Sequence, residues 1–308
     1  MTFVESVPNC GASECGLDHP ISVREAGMDF VECPVCHVLR IPPGNLIHHH
    51  VLPDPPGKLS PVMRLLMSLR MMWLTRELPQ LRDIHVRIAD IGCGDGQFLE
   101  FLKARGYDCA FGIEPDQVRA RNVQLRNVPV FPNREDAEAS GYFQTAVDLM
   151  FVWHVIEHVD RPAEFLAEYA KWLAPSGRMV ISVPNQASLQ TMLFGYFSAF
   201  PDYGRHIWYH KPNYIDWFAR NFPGFKIERM RNWNFEYEVF SWVDSMASMI
   251  TRQQNFFHRA IKKGEGPIRR RLAAAAMGLA LLPIAGLLAP MSLALGRSST
   301  LTFTLRSK

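Results

Sequence analysis

Hydrophobic positions along the middle of the chain switch between near-continuous runs and helical spacing. Val86 to Ile91 is an apolar run of strand length, and Gln97-Phe98-Leu99-Glu100-Phe101-Leu102 starts a helix after three closely spaced glycines. Cys109 to Ile113 predicts a second strand, Asp116 to about Leu125 a helix, and Val128 to Phe131 a short third strand. Ala146 to Trp153 is almost unbroken in apolar residues, as a central parallel strand covered on both faces requires. A helix from Arg161-Pro162 through Leu173 follows, ending at Ala174-Pro175-Ser176-Gly177, and then the strand Met179 to Val183. Phe225 to Met230 and the period-two run Thr300 to Leu305 read as two more strands, the last returning antiparallel. This alternation predicts an α/β fold with a doubly wound parallel sheet. Ahead of it, Ser60-Pro61 opens a helix with Val62, Leu65, Leu66, Leu69, Met72 and Trp73 at helical spacing and Arg64, Arg70 and Arg76 interspersed. Packing over the ligand crevice and lying on a membrane surface are both open to that helix.

A strand, a glycine turn and a helix start make a crevice at the carboxyl end of a sheet, where open α/β folds bind small ligands. The spacing here is Gly92-x-Gly94-x-Gly96, and Gln97 stands where a dinucleotide fingerprint needs its third glycine. Asp90 precedes the turn, which repels phosphate and suits an amino group or a sulfonium. Glu114 ends the second strand, where an acid suits the two hydroxyls of a ribose. Asp90, the three glycines and Glu114 together resemble the class I S-adenosylmethionine-dependent methyltransferases. The resemblance implies a seven-stranded, mostly parallel Rossmann-like sheet with S-adenosylmethionine as cofactor. Asp90, Gly92, Cys93, Gly94, Gly96 and Glu114 would then line the cofactor site, with Cys93 a small packed residue in the turn. It also implies an acid at the adenine amino group; Asp136 is the choice, and Glu135 is an equal structural candidate.

His154-Val155-Ile156-Glu157-His158-Val159 follows the long apolar strand. This segment is similar to that of ubiquinone-biosynthesis-type O-methyltransferases, in which a Glu-His pair follows the fourth strand. As one helical turn it would bring His154, Glu157 and His158 to one side. In some relatives the corresponding positions hold a divalent cation; here His154 replaces an acid, and a mixed His/Glu set suits a transition metal better than magnesium. Methyl transfer also needs a proton acceptor, and histidine is the natural base near neutral pH. His154 is the first candidate and His206 the second. Residues 186–213 are rich in aromatics, from Phe194 to Tyr209, and predict either a lid contacting the acceptor or a packed sheet edge.

The chain of 308 residues allows one large domain plus an appendage. Its net charge of +3 is too small to argue for nucleic acid. No basic start with a following apolar run opens the chain, so the expected compartment is the cytoplasm, where thiols stay reduced. Cys10 and Cys15 have four residues between them, and Cys33 and Cys36 have two. Two such pairs fit a closed four-thiolate structural zinc site within a ribbon-like module over residues 1–43. Prolines and glycines mark 44–59 as a linker, with His48, His49 and His50 inside it. The methyltransferase core then spans 60–233.

Residues 234–299 form an insertion before the last strand, 300–308. Lys262, Lys263, Arg269, Arg270 and Arg271 precede 272–296, which hold no charge. As a helix the stretch would be about 37 Å long, enough for a bilayer, yet Pro283 and Pro290 predict breaks. If residues 300–306 pair in the sheet, a single crossing is excluded. A helical hairpin dipping into one leaflet of the inner membrane face, a buried helix pair and a homodimer interface remain, membrane contact running through 259–296. The function expected is O-methylation of a glycan, lipid-linked or secondary-metabolite acceptor. A nucleotide-cofactor oxidoreductase, disfavoured by Gln97 and Asp90, and a non-catalytic adaptor are the alternatives.

Overall fold

A computed structural model describes residues 21–25, 28–35, 37–42, 61–141, 146–215, 225–229, 235–262 and 264–307. Cys10, Cys15, Cys36, His48 to His50, Ser60 and residues 44–59 lie outside them. Three short strands come first: β1 (Ile21–Glu25), β2 (Met28–Glu32) and β3 (Leu39–Arg40). Helix α1 (Pro61–Glu77) leads to β4 (Ile88–Ile91), α2 (Gln97–Lys103), β5 (Ala110–Ile113), α3 (Gln117–Gln124), β6 (Val130–Phe131) and α4 (Arg134–Ala139). Then come β7 (Val147–Trp153), α5 (Pro162–Ala170), β8 (Leu173–Pro184), α6 (Leu189–Phe194), β9 (Trp208–Tyr209) and β10 (Phe225–Arg229). Two long helices, α7 (Phe235–Thr251) and α8 (Ile268–Ala294), precede β11 (Thr300–Ser307).

The main sheet has seven strands in the order β10-β11-β8-β7-β4-β5-β6. β4 pairs in parallel with β5 on one side and β7 on the other, so the strand order reverses there. That reversal opens a crevice at the carboxyl end of β4. β11 lies antiparallel between β8 and β10, as its alternating sequence predicts. β7 is nearly all buried because helices cover both faces. One face carries α1, α2 and α3 through Leu74, Phe101, Leu102 and Val123; the other carries α5 through Ala163, Leu166 and Tyr169. β8 begins earlier than the sequence pattern implies: Ala174-Pro175-Ser176-Gly177 continues it instead of forming a turn. Gly177 permits this, since a Cβ there would stand 2.8 Å from the Val147 carbonyl.

β1, β2 and β3 form a second, four-stranded sheet whose last member is β9. Phe30, Leu39 and Ile41 bury against Tyr203 and Tyr209, and Cys33 and Val38 join the main core. Part of the aromatic stretch after β8 is therefore occupied in holding the N-terminal strands.

The expected breaks at Pro283 and Pro290 are overturned: α8 is one helix with both prolines inside it. A proline in a helix interior costs about 3 kcal/mol. Packing along α7 offsets this, with Trp242 and Val243 against Ala285 and Ala289, and Ala247 against Ala274. A buried carboxylate, Glu238 on α7, ties the pair to the sheet. It accepts from the Gln190 amide at 2.6 Å, the Ser299 N–H at 2.8 Å, the Ser299 hydroxyl at 2.7 Å and the Ser292 hydroxyl. Glu238→Ala strands these donors and should cost about 2–4 kcal/mol. A denaturant midpoint shift of that size, with hydrogen exchange fastest in 268–294, checks it; an unchanged midpoint would remove Glu238 as the anchor.

Candidate active site

The turn after β4 is set by its glycines. Gly92, Gly94 and Gly96 have φ of 72°, 56° and 67°, the left-handed region that side chains with a Cβ avoid. Gly94 has no atom within 4 Å of where a Cβ would stand, so its backbone faces open space. Its N–H donates to Glu114 Oε2 at 2.8 Å, and Glu114 Oε1 accepts from the Asp116 N–H at 3.0 Å. The acid at the end of β5 is thus fixed across the turn, as the sequence spacing suggests. Cys93 packs in the turn with its Sγ 2.6 Å from a Cβ placed on Gly112, which explains the glycine in β5. Burial raises the Cys93 thiol pKa well above its usual value, so it is an inert thiol and no nucleophile.

A cavity of about 170 Å³, open to solvent on one side, lies over this turn. Asp90, Gly92, Cys93, Asp95 and Gln97 line its floor, with Phe98 and Trp153 beside them. Met67 and Arg70 from α1 and Tyr237 from α7 form the roof. Burial pushes the Asp90 carboxyl up to about 7, against the pull of the Arg70 guanidinium and with a push from Glu114. Arg70 is itself buried, 4.6 Å from the Trp153 ring centroid and 4.8 Å from that of Tyr237. Arg70 is thus itself the cation on both aromatic faces, with the Asp90 carboxyl close by.

His154 lies outside this lining, next in the chain to Trp153 and against Tyr237. Its φ is 56°, rare for a residue with a side chain. The backbone is held there by its N–H on the Ser182 carbonyl at 2.9 Å. The ring stacks on Phe200 with centroids 5.5 Å apart and meets Tyr237 edge-on. Nδ1 lies 3.2 Å from Glu157 Oε1, and Nε2 is buried with no protein partner. Glu157 is fully buried; burial alone would raise its pKa, but the His154 hydrogen bond and the nearby imidazoles hold it at about 2. An ionised carboxylate can only accept, so Nδ1 carries the proton and Nε2 is left basic.

Ile156 to His158 form one turn of 3₁₀ helix. His154 and His158 do not share its face; His158 meets His206 instead, with ring centroids 4.7 Å apart. Glu157, His158 and His206 bring three donor atoms within 4.8 Å of one another. Glu157 Oε2 and His206 Nδ1 there are buried without a partner, so the set fits a transition metal, with His206 in the place the sequence assigns to His154. Burial lowers His206 to about 3, helped by His158. The His206 ring is buried and lies outside the cavity lining. Asp136 and Glu135 are exposed on α4, outside the cavity lining. Cys33 is buried in the core.

The places of Arg70 and Tyr237 in the cavity lining escape the sequence reading. Arg70 had one signal: it sits between Met67, Met71 and Leu74 on the buried side of α1, where arginine is out of pattern. Tyr237 arrives from the insertion, which no local spacing foretells.

The parallel sheet, the glycine turn and the acids that end β4 and β5 are those of a methyltransferase of the S-adenosylmethionine-dependent class. A family model described as "Methyltransferase domain" matches residues 62–229, and the chain belongs to that family. It is similar to the ubiquinone biosynthesis O-methyltransferase of Caulobacter sp. (strain K31), 29% identical over 109 residues, which cover 33% of this chain and 42% of that one. It is also similar to the tRNA U34 carboxymethyltransferase of Pseudoalteromonas translucida (strain TAC 125), 29% identical over 34% of each chain. The chain thus spans less than half the length of either curated relative. Among solved structures, the plantazolicin methyltransferase BpumL in complex with pentazolic desmethylPZN analog and SAH has a TM-score of 0.45 at 16% identity, covering 81% of this chain and 86% of that one. A SAM dependent methyltransferase from Archaeoglobus fulgidus has a TM-score of 0.38 at 23% identity, covering 53% and 72%.

Asp90 sets a pH dependence. Below about pH 7 it takes up a proton and the floor of the cavity loses its negative charge. Affinity for the cationic donor should therefore fall as pH drops from 8 to 6, by up to about tenfold per unit below the pKa. Calorimetric titration with S-adenosylmethionine measures this, and Asp90→Asn should flatten the profile.

Proposed function

We propose that the chain transfers a methyl group from S-adenosylmethionine to an oxygen of a glycan, lipid-linked or secondary-metabolite acceptor, with His154 as the base. The observation that carries this is the buried Nε2 of His154, which has no hydrogen-bond partner among the described residues, in a ring held by Glu157 and in contact with Tyr237 of the cavity lining.

Bound in the cavity, S-adenosylmethionine supplies a methyl group on a positively charged sulfur. Asp90 suits its positive groups, Arg70 suits its carboxylate, and Glu114 suits its ribose hydroxyls. The protein's main task is alignment of two reactants. The acceptor hydroxyl hydrogen-bonds His154 Nε2, and its proton passes to that atom as the new C–O bond forms. Glu157 keeps Nδ1 as donor and stabilises the imidazolium, the role a buried carboxylate plays behind a catalytic histidine. Phe200 and Tyr237 wall the ring on two sides and keep water away. In the metal-binding reading, Glu157, His158 and His206 would hold a divalent cation and fix Glu157 from below.

His154→Gln should lower kcat by about 10²–10⁴ and leave donor affinity unchanged. Steady-state rates with labelled donor, paired with calorimetry, check both; an unchanged kcat would eliminate His154 as the base.

The N-terminal strands are proposed to carry a structural zinc on Cys10, Cys15, Cys33 and Cys36. Support comes from the turn after Cys33, where the His37 N–H returns to the Cys33 carbonyl at 2.9 Å and His37 has a φ of 58°. Such a loop wraps one side of an ion. Cytoplasmic location fits thiols kept reduced. Elemental analysis should find zinc equimolar with the chain and lost in Cys33→Ser; a stable protein without metal would refute the site.

A further inference from the structure

Helix α8 presents a contradiction. It is apolar around its whole circumference from Leu272 to Leu295, the pattern of a helix enclosed on all sides. Yet only 22% of its most apolar stretch is buried. Ala274, Gly278, Ala285, Ala289 and Ser292 face α7, and the opposite side exposes Leu272, Leu279, Leu282, Leu287, Met291 and Leu295. This strip is about 35 Å long and about 10 Å wide. It reaches the size of the largest apolar patch that monomers ordinarily show to water.

The strip cannot be a membrane crossing. Arg270, at the start of α8, donates to Gln253 just past the end of α7 at 3.0 Å. At the other end, the residues after α8 enter the main sheet, with Thr300 opposite Pro184. Both ends of the helix are therefore fixed to the same globular body. The charges are placed to match. Arg269 and Arg271 are exposed at the start of the strip and Arg297 just beyond its end, with no acid anywhere along it. An apolar face flanked by arginines suits a surface that is oily inside and anionic at its rim. Arg297 also reaches Met192 Sδ at 3.0 Å, so the exposed Met192 and Leu193 of α6 adjoin the same face.

We propose that the outer face of α8 lies flat in the interface of an anionic lipid bilayer, and that the methyl acceptor is a lipid-linked molecule taken from that bilayer. The acceptor clause rests on the methyltransferase reading; the docking clause does not. α7 connects the two. Its Trp242 and Val243 support α8, and its Tyr237 walls both the donor cavity and His154. The active site is thus one helix away from the lipid-facing strip. An acceptor anchored by a lipid tail would offer its polar head at the depth where the cavity lies.

Flotation of the full chain with vesicles tests the docking. Vesicles of phosphatidylcholine mixed with an equal amount of phosphatidylglycerol should carry the protein upward, and pure phosphatidylcholine should carry far less. Leu279→Lys with Leu287→Lys should cut binding by roughly tenfold or more. Arg269→Glu with Arg271→Glu should remove the preference for anionic vesicles, about fivefold per arginine. Both double variants should bind S-adenosylmethionine as the parent does, which shows that they are folded. A parent chain that binds donor but no vesicle overturns the docking and leaves the methyltransferase reading intact. A dimer in solution that Leu279→Lys dissociates also overturns it, since a second copy would then cover the strip. Vesicle binding by a chain that takes no donor keeps the docking and overturns the acceptor clause.

Discussion

The active site depends on one uncomfortable charge. Asp90 is a carboxylate buried at the reversal point of the sheet, and burial alone would neutralise it. Arg70 answers it from α1, and the guanidinium is steadied by the faces of Trp153 and Tyr237. Those residues come from a leading helix, from β7 and from the insertion. Three distant segments thus converge on a need set by one strand residue. The acid and its arginine both line the cavity, so it offers a polar ligand one charge of each sign.

A second buried acid organises the histidine beside the cavity. Glu157 keeps its charge because His154 bonds it and other imidazoles surround it. The two acids behave differently for a physical reason: one has its cation above a cavity, the other has hydrogen-bonding rings packed around it. The division leaves a pair of opposite charges lining the cavity and an imidazole next to it ready for a proton.

The local parts of this arrangement were legible in the sequence. Asp90, the three glycines and Glu114 lie on a strand, a turn and the next strand, where spacing dictates geometry. Seven strands, their antiparallel finish and the acid-histidine segment after β7 were legible for the same reason. The roles of Arg70 and Tyr237 were not, because their positions follow from tertiary packing. The burial of His206 among other imidazoles was equally hidden in the sequence. The proline rule failed in α8 because propensity is a local cost of a few kcal/mol, and a long interface with α7 outweighs it. Aromatics after β8, read as either a lid or a packed sheet edge, divide by partner: Phe200 meets His154, whereas Tyr203 and Tyr209 meet Phe30.

The position of β11 shapes how this chain must be made. β8 has an open edge until β11 inserts, and β10 has no place in the sheet without it. Between the first of those strands and the strand that unites them lie more than a hundred residues, including both long helices. During synthesis a hydrophobic strand edge and an oily helix are therefore exposed together until 300–307 leave the ribosome. Such a chain has a long interval of vulnerability to aggregation, and a chaperone or a nearby lipid surface would shelter it through that interval.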